Sequence, residues 1–207
     1  MILMRYSKTD GAEYVSHLDL LKNFGRLFSR AGIKVGYSAG YHPHMLVYMS
    51  APIGVGIKSY SEYCVIDTDE PPESFKVKFN AFTQKGVKCI GAWATDSKKG
   101  VASDIVRARY FIKGINDFEP QEVLSGEEFI ITARDGKEKN VRDLIYAIER
   151  ADGGIRCEIG FGNGLRAEKF AERLKDIYGG EEIDITKEEG LTADGKPFEE
   201  SKSEKCL

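Results

Sequence analysis

The stretch Ser16-His-Leu-Asp-Leu-Leu-Lys-Asn-Phe-Gly-Arg-Leu-Phe-Ser-Arg-Ala-Gly32 decides how the chain is read. Leu18, Leu21, Phe24, Leu27, Phe28 and Ala31 recur at helical spacing, which predicts one amphipathic helix. The Ser16 hydroxyl can accept a bond from a free first-turn amide, Asp19 completes a capping-box-like pair with it, and Gly32 closes the helix. Lys22, Arg26 and Arg30 fall at i, i+4 and i+8, a basic stripe away from the apolar one. Such a stripe is either a solvated face or a contact line for backbone phosphates.

Working outward, residues 1–8 read as a strand before this helix. Tyr37-Ser-Ala-Gly-Tyr-His-Pro-His44 follows as a turn built on Gly40 and Pro43. Strands are predicted over 45–50, 61–67 and 87–94. A second helix starts at Pro71-Pro72, carries Phe75, Val77, Phe79 and Phe82, and ends before Gly86. The order βαββαβ is that of a ferredoxin-like unit, an antiparallel sheet with two helices on one face. The polar run Asp96-Ser-Lys-Lys-Gly100 is the expected boundary. Beyond it, strands are predicted over 105–112, 127–134, 154–160 and 182–186. Asn140 is expected to cap a helix bearing Val141, Leu144, Ile145 and Ile148, and a last helix spans 165–174. The expected fold is α+β, two tandem ferredoxin-like units with antiparallel sheets: residues 1–98, residues 99–190, and a polar, disordered tail over 191–207.

The 207 residues are 42% hydrophobic and 30% charged, enough for a core and a polar surface. No run of 18 or more apolar residues is present, and the start lacks the long apolar region of a signal peptide. A cytoplasmic protein without membrane contact is the expectation. Cys64, Cys89, Cys157 and Cys206 are widely spaced with no CxxC, which argues for reduced cysteines rather than a metal ribbon or a redox dithiol. Net charge is −3, but residues 1–60 carry seven Lys/Arg against three acids, so this third is +4 and the remainder −7. A basic third on an acidic chain points to an anionic partner.

All three histidines, His17, His42 and His44, lie in the first 44 residues. With Asp19, Glu62 and Cys64 they are candidates for acid–base work or a metal, but no ligand spacing matches a standard site and neither a metal nor a cofactor is assigned. Gly160-Phe-Gly-Asn-Gly-Leu-Arg166 is a Gly-rich strand-to-helix turn that is neither a Walker motif nor GxGxxG. It reads as a tight turn, with Arg166 as a candidate phosphate contact. Tyr6, Tyr14, Tyr37, Tyr41 and Tyr48, interleaved with Lys and Arg, are of the type that stacks unpaired bases.

Ser16-His-Leu-Asp-Leu20, Arg26, Arg30-Ala31, Tyr37-Ser38, Gly40-Tyr41, Pro43-His44, Pro52, Val55-Gly56, Ser59 and Glu62 together resemble the radical SAM-linked family, a bacterial domain of unknown function encoded beside, or fused to, radical SAM proteins. The match spans about residues 5–67. Lys22 and Ser29 stand where the family usually has arginine, Gly25 replaces a usual acid, Met45 replaces a proline, and His42 sits at a variable position. The resemblance implies a radical SAM protein as partner, in RNA- or ribosome-related modification, and it brings no known reaction. Three functions are set against one another. The first is an accessory RNA-binding or substrate-presenting module, not an independent enzyme, using Lys22, Arg26, Arg30, Tyr37, Ser38, Gly40, Tyr41 and Arg166. The second is a ribonuclease or metal-assisted hydrolase with His17, His44, Asp19 and Glu62 as catalytic set; tandem ferredoxin-like units with a late Gly-rich loop resemble the CRISPR repeat-processing endoribonucleases. The third is a protein-interaction scaffold without nucleic acid. The first two are expected to use one pocket, where the start of the first helix meets the His-Pro turn.

Overall fold

The structure, a computed structural model, describes residues 1–96, 104–133 and 135–200. The chain divides into two compact units, Met1–Asp104 and Ile105–Leu207, each a mixture of helices and antiparallel strands. The boundary expected over 96–100 falls largely on positions outside the described residues.

The N-terminal unit runs β1 (Ile2–Lys8), α1 (His17–Ala31), β2 (Val47–Met49), β3 (Lys58–Ile66), α2 (Pro72–Phe82) and β4 (Cys89–Ala94). All pairings are antiparallel, in the order β4-β1-β3-β2. Ile2, Met4 and Tyr6 stand opposite Ile66, Cys64 and Glu62, so these six share one face of the sheet. The apolar members of that face meet Leu20, Phe24 and Phe28 of α1 and Phe75 and Phe79 of α2 in one buried cluster. The Tyr6 and Phe24 rings pack edge to face at 5.4 Å, as do Phe24 and Phe79. Each fully buried ring contributes about 1.5–3 kcal/mol.

α1 begins and ends as its sequence demands. Ser16 Oγ accepts from the Asp19 amide at 3.1 Å, and Gly32 closes the helix at φ 67° with its N–H on the Phe28 and Ser29 carbonyls. Two of the residues expected in the core point outward instead. Leu18 is 67% and Val77 69% exposed. Each lies two residues, or about 200° of helix, from a buried neighbour, Leu20 and Phe75 or Phe79. Phe82, the last residue of α2, is also exposed.

The C-terminal unit runs β5 (Arg107–Ile115), α3 (Pro120–Ser125), β6 (Ile130–Thr132), β7 (Glu138–Asn140), β8 (Ile145–Ala151), β9 (Gly154–Gly160), α4 (Ala167–Tyr178) and β10 (Gly180–Leu191). β6 and β7 form a ribbon of their own, and the main sheet is antiparallel in the order β10-β5-β9-β8. With the ribbon set aside, last-first-third-second is also the order of the N-terminal unit. Ala108, Ile112, Cys157, Ile159, Phe170 and Leu174 are buried here.

Two expectations fail in this unit. The helix expected from Asn140 through Ile148 is a 3-10 turn, Arg142–Leu144, followed by β8. A register shift between Ile145 and Ala147 puts Ile145 and Ile148 inward, three residues apart, and so imitates helical spacing. The short α3 has too few residues to show a period. The tail is not disordered over 191–200. Phe198 is fully buried, and a turn with Thr192 N–H on the Lys196 carbonyl (3.0 Å) and Phe198 N–H on Gly190 (2.9 Å) folds the segment back. One aromatic anchors a stretch whose composition alone reads as unstructured. Residues 201–207, including Cys206, lie outside the described residues.

Candidate functional site

The four groups expected to act together sit on three segments: His17 and Asp19 on α1, Glu62 on β3, and His44 in the turn before β2. β2 starts where β3 ends, with Val47 opposite Ile66, and the Gly36 and Leu46 amides bond the Asp67 and Gly36 carbonyls at 2.8 Å each. The His-Pro turn therefore sits at the Ile66 end of the sheet. Its base rests on the middle of α1, because a Cβ on Gly25 would stand 3.8 Å from the Met45 sulfur. α1 begins at the other end, beyond the Ala12–Tyr14 turn that Gly56 N–H ties down through the Glu13 carbonyl at 2.9 Å. The nine residues of β3 that separate these ends span about 26 Å. Among the described residues no hydrogen bond or ion pair joins His17 to His44.

Each member has a local role. His17 is the first residue of α1 and half-buried. The Asp19 carboxylate accepts from Ser16 Oγ at 2.8 Å and from Lys22 Nζ at 3.2 Å. The Ser16 bond first, and then Lys22, hold its carboxyl below the usual range. His44 Nδ1 is 2.8 Å from Ser38 Oγ, and the same hydroxyl accepts from the His44 amide at 3.0 Å. Ser38 and His44 thus brace a hairpin closed by the Tyr37–Met45 bridge, with Gly40 at its tip in the left-handed region at φ 125°. Tyr37 and Tyr41 are exposed there, and the Tyr41 ring meets His42 edge-on at 4.8 Å.

Glu62 is only 3% exposed and belongs to an internal polar knot. Ser59 Oγ donates to its carboxylate at 2.8 Å. Lys8, equally buried, faces Glu62 and Glu13. Burial pushes the Lys8 ammonium down and outweighs the two carboxylates that favour its charge. Burial first, then Glu62, pushes the Tyr6 phenol up. A buried pair of this kind ties β1, β3 and the turn before α1 together. Cys64 and Cys89 are free and buried, and burial drives the Cys89 thiol up to about 12, so both stay protonated. Among the described residues no group of three or more His, Cys, Asp or Glu side chains is placed to hold a metal ion.

The clearest concavity of the N-terminal unit is a cleft of about 640 Å³ between α1 and the segment after α2. Arg26 and Arg30 line it, with Asn23 and Ser29 on the α1 side and Thr83 and Gln84 opposite. Arg30 donates to the Phe82 carbonyl at 3.1 Å, and Asn23 Nδ2 to Gln84 Oε1 at 3.1 Å. The Thr83 hydroxyl is buried without a hydrogen-bond partner among the described residues. No Asp or Glu lines the cleft, and among the described residues Arg26 makes no ion pair, although its charge reaches Asp19 and helps hold that carboxyl down. Lys22 is absent from the lining and pairs with Asp19 instead. The α1 stripe that lines the cleft is therefore Asn23–Arg26–Arg30, at i, i+3 and i+7, a pattern present in the sequence but masked by the regular i+4 series of cations. Thr83 and Gln84 carry no local signal, since they reach the helix only through the fold.

Arg166 lies in the C-terminal unit as the exposed N-cap of α4, without a side-chain cap bond. The Gly-rich turn before it is a tight connection closed by Leu165 N–H on the Gly162 carbonyl at 2.7 Å.

Residues 1–169 match the model of the bacterial family DUF2344, described as an uncharacterized protein conserved in bacteria, and the chain belongs to that family. No curated protein matches the chain. No helix among the described residues is long and apolar enough to cross a membrane.

Proposed function

We propose that this bacterial family member is an accessory module that binds single-stranded RNA along α1 and presents it to a radical SAM enzyme, not a hydrolase acting alone. The observation that carries the reading is the pair Arg26 and Arg30 on a cleft free of carboxylates, in a chain whose net charge is −3. Cations at a concave surface that no carboxylate lines favour an anionic ligand. The exposed Tyr37 and Tyr41 supply rings of the kind that stack unpaired bases. Both units are proposed to be ferredoxin-like, a reading supported by the shared last-first-third-second strand order. The radical SAM partnership rests on the motif resemblance over about residues 5–67 alone.

The test is binding of a labelled single-stranded RNA at low salt. Affinity is expected to fall with rising salt, and Arg26→Ala with Arg30→Ala to lower the salt slope by about 1.4, two phosphate contacts at about 0.7 each. Absence of binding at low salt overturns the RNA reading. Co-purification with a radical SAM protein that survives nuclease tests the partnership.

A further inference from the structure

We infer that the cleft between α1 and the segment after α2 holds one unstacked nucleobase and reads its edge through Asn23 and Gln84. This rests on the RNA reading above and goes beyond it, from charge to base recognition. The cleft has the size for it: about 640 Å³ falls inside the roughly 300–1,000 Å³ of small-ligand pockets. Its lining is divided by chemistry. Leu20, Phe24, Leu27 and Val87, each almost fully buried, form its apolar floor. Arg26 and Arg30 supply the cations for the phosphates on either side.

The two amides supply the edge contacts. Asn23 Nδ2 donates to Gln84 Oε1 at 3.1 Å, which links the two walls and fixes both side chains. That bond leaves the Asn23 carbonyl as an acceptor and the Gln84 amide nitrogen as a donor, the complementary pair that Asn and Gln use against base edges. The buried, unpartnered Thr83 hydroxyl adds a third polar group beside them. A buried hydroxyl without a partner is unfavourable, a cost that a ligand donor or acceptor removes. A neighbouring hollow of about 530 Å³ shares Thr83, Gln84 and Val87, and brings Lys85 and Lys88 as well as Asp10. It gives the strand a path away from the base site.

The experiment compares four labelled homopolymers, oligo-A, oligo-C, oligo-G and oligo-U, on the full chain at one salt concentration. One homopolymer is expected to bind at least tenfold more tightly than the weakest. Gln84→Ala should remove that preference while leaving the salt slope unchanged, and an unaltered melting temperature verifies folding. Arg26→Ala with Arg30→Ala should weaken all four by a similar factor. Equal binding of the four homopolymers by the unmodified chain overturns the base site while leaving the RNA reading standing, and no RNA binding removes both. Equal competition by polyglutamate of matched charge also overturns it, since charge alone would then suffice.

Discussion

The two units arrange their main strands in the same order but use their cations in opposite ways. In the C-terminal unit Arg109 bonds Glu158 at 2.6 Å, Arg150 bonds Glu119 at 2.8 Å and Arg156 bonds Glu188 at 3.1 Å. The Glu158 bond leads the causes that raise the Arg109 guanidinium further above its ordinary value. In the N-terminal unit Arg26 makes no ion pair but its charge reaches Asp19, and Arg30 turns to the Phe82 carbonyl. The same strand order therefore carries three arginine–carboxylate pairs in one unit and, in the other, two arginines on a cleft that no carboxylate lines. Strand order says where elements go, and side-chain pairing decides what is left to act.

The largest expected effects test whether the units depend equally on aromatic packing. Phe24→Ala should cost about 3–5 kcal/mol and so should Phe170→Ala, since both rings are fully buried. Chemical denaturation followed by Trp93 fluorescence, the chain's single tryptophan and a residue of β4, reports the first, and far-UV circular dichroism the second. A cost under about 1 kcal/mol in either unit would show that its rings do not hold it together.

Next come the turns. Gly86 has φ 82°, and a Cβ there would stand 1.7 Å from the Thr9 carbonyl oxygen, while its own carbonyl accepts from Thr9 N–H at 2.8 Å. Gly86→Ala should cost about 2–3 kcal/mol, from left-handed strain plus a weakened bond. Gly153, in the C-terminal unit, has φ 74° but open space around it, so Gly153→Ala should cost only about 1 kcal/mol. Equal melting shifts would mean that the close approach at Gly86 is not felt.

Helix starts give a smaller contrast. Ser16 caps α1 through its hydroxyl, whereas Arg166 at α4 makes no cap bond. Ser16→Ala should cost about 1 kcal/mol and Arg166→Ala less than about 0.5 kcal/mol. The smallest effect is acidic. Asp19 is held below its unfolded value, first by Ser16 and then by Lys22, so its contribution is present above about pH 4 and fades as pH falls through the folded value. Ser16→Ala should flatten that acid limb in a stability profile between about pH 5 and pH 2. An unchanged limb would assign it to other carboxylates.

Much of the N-terminal unit was legible because its signals are local. Ser16, Gly32 and the Phe24–Leu27–Phe28–Ala31 spacing state a capped amphipathic helix, and capping needs only neighbours within a turn. In the C-terminal unit the bulge at Ile145–Ala147 hid a strand behind helical spacing, and Phe198 anchored a segment that composition marks as unstructured. Both depend on what lies across the sheet or under the chain.

The sequence by itself determined the helix that carries Arg26 and Arg30, the hairpin tip at Gly40, and the division of charge between the first 60 residues and the rest. Only the tertiary structure decided which groups meet. It drew Glu62 into a buried knot with Lys8 and brought Thr83 and Gln84 to the face of α1. The physical reason is that caps and turns are settled by hydrogen bonds within a few residues, whereas a site is settled by strand register, and register is a property of pairs of segments far apart in the chain.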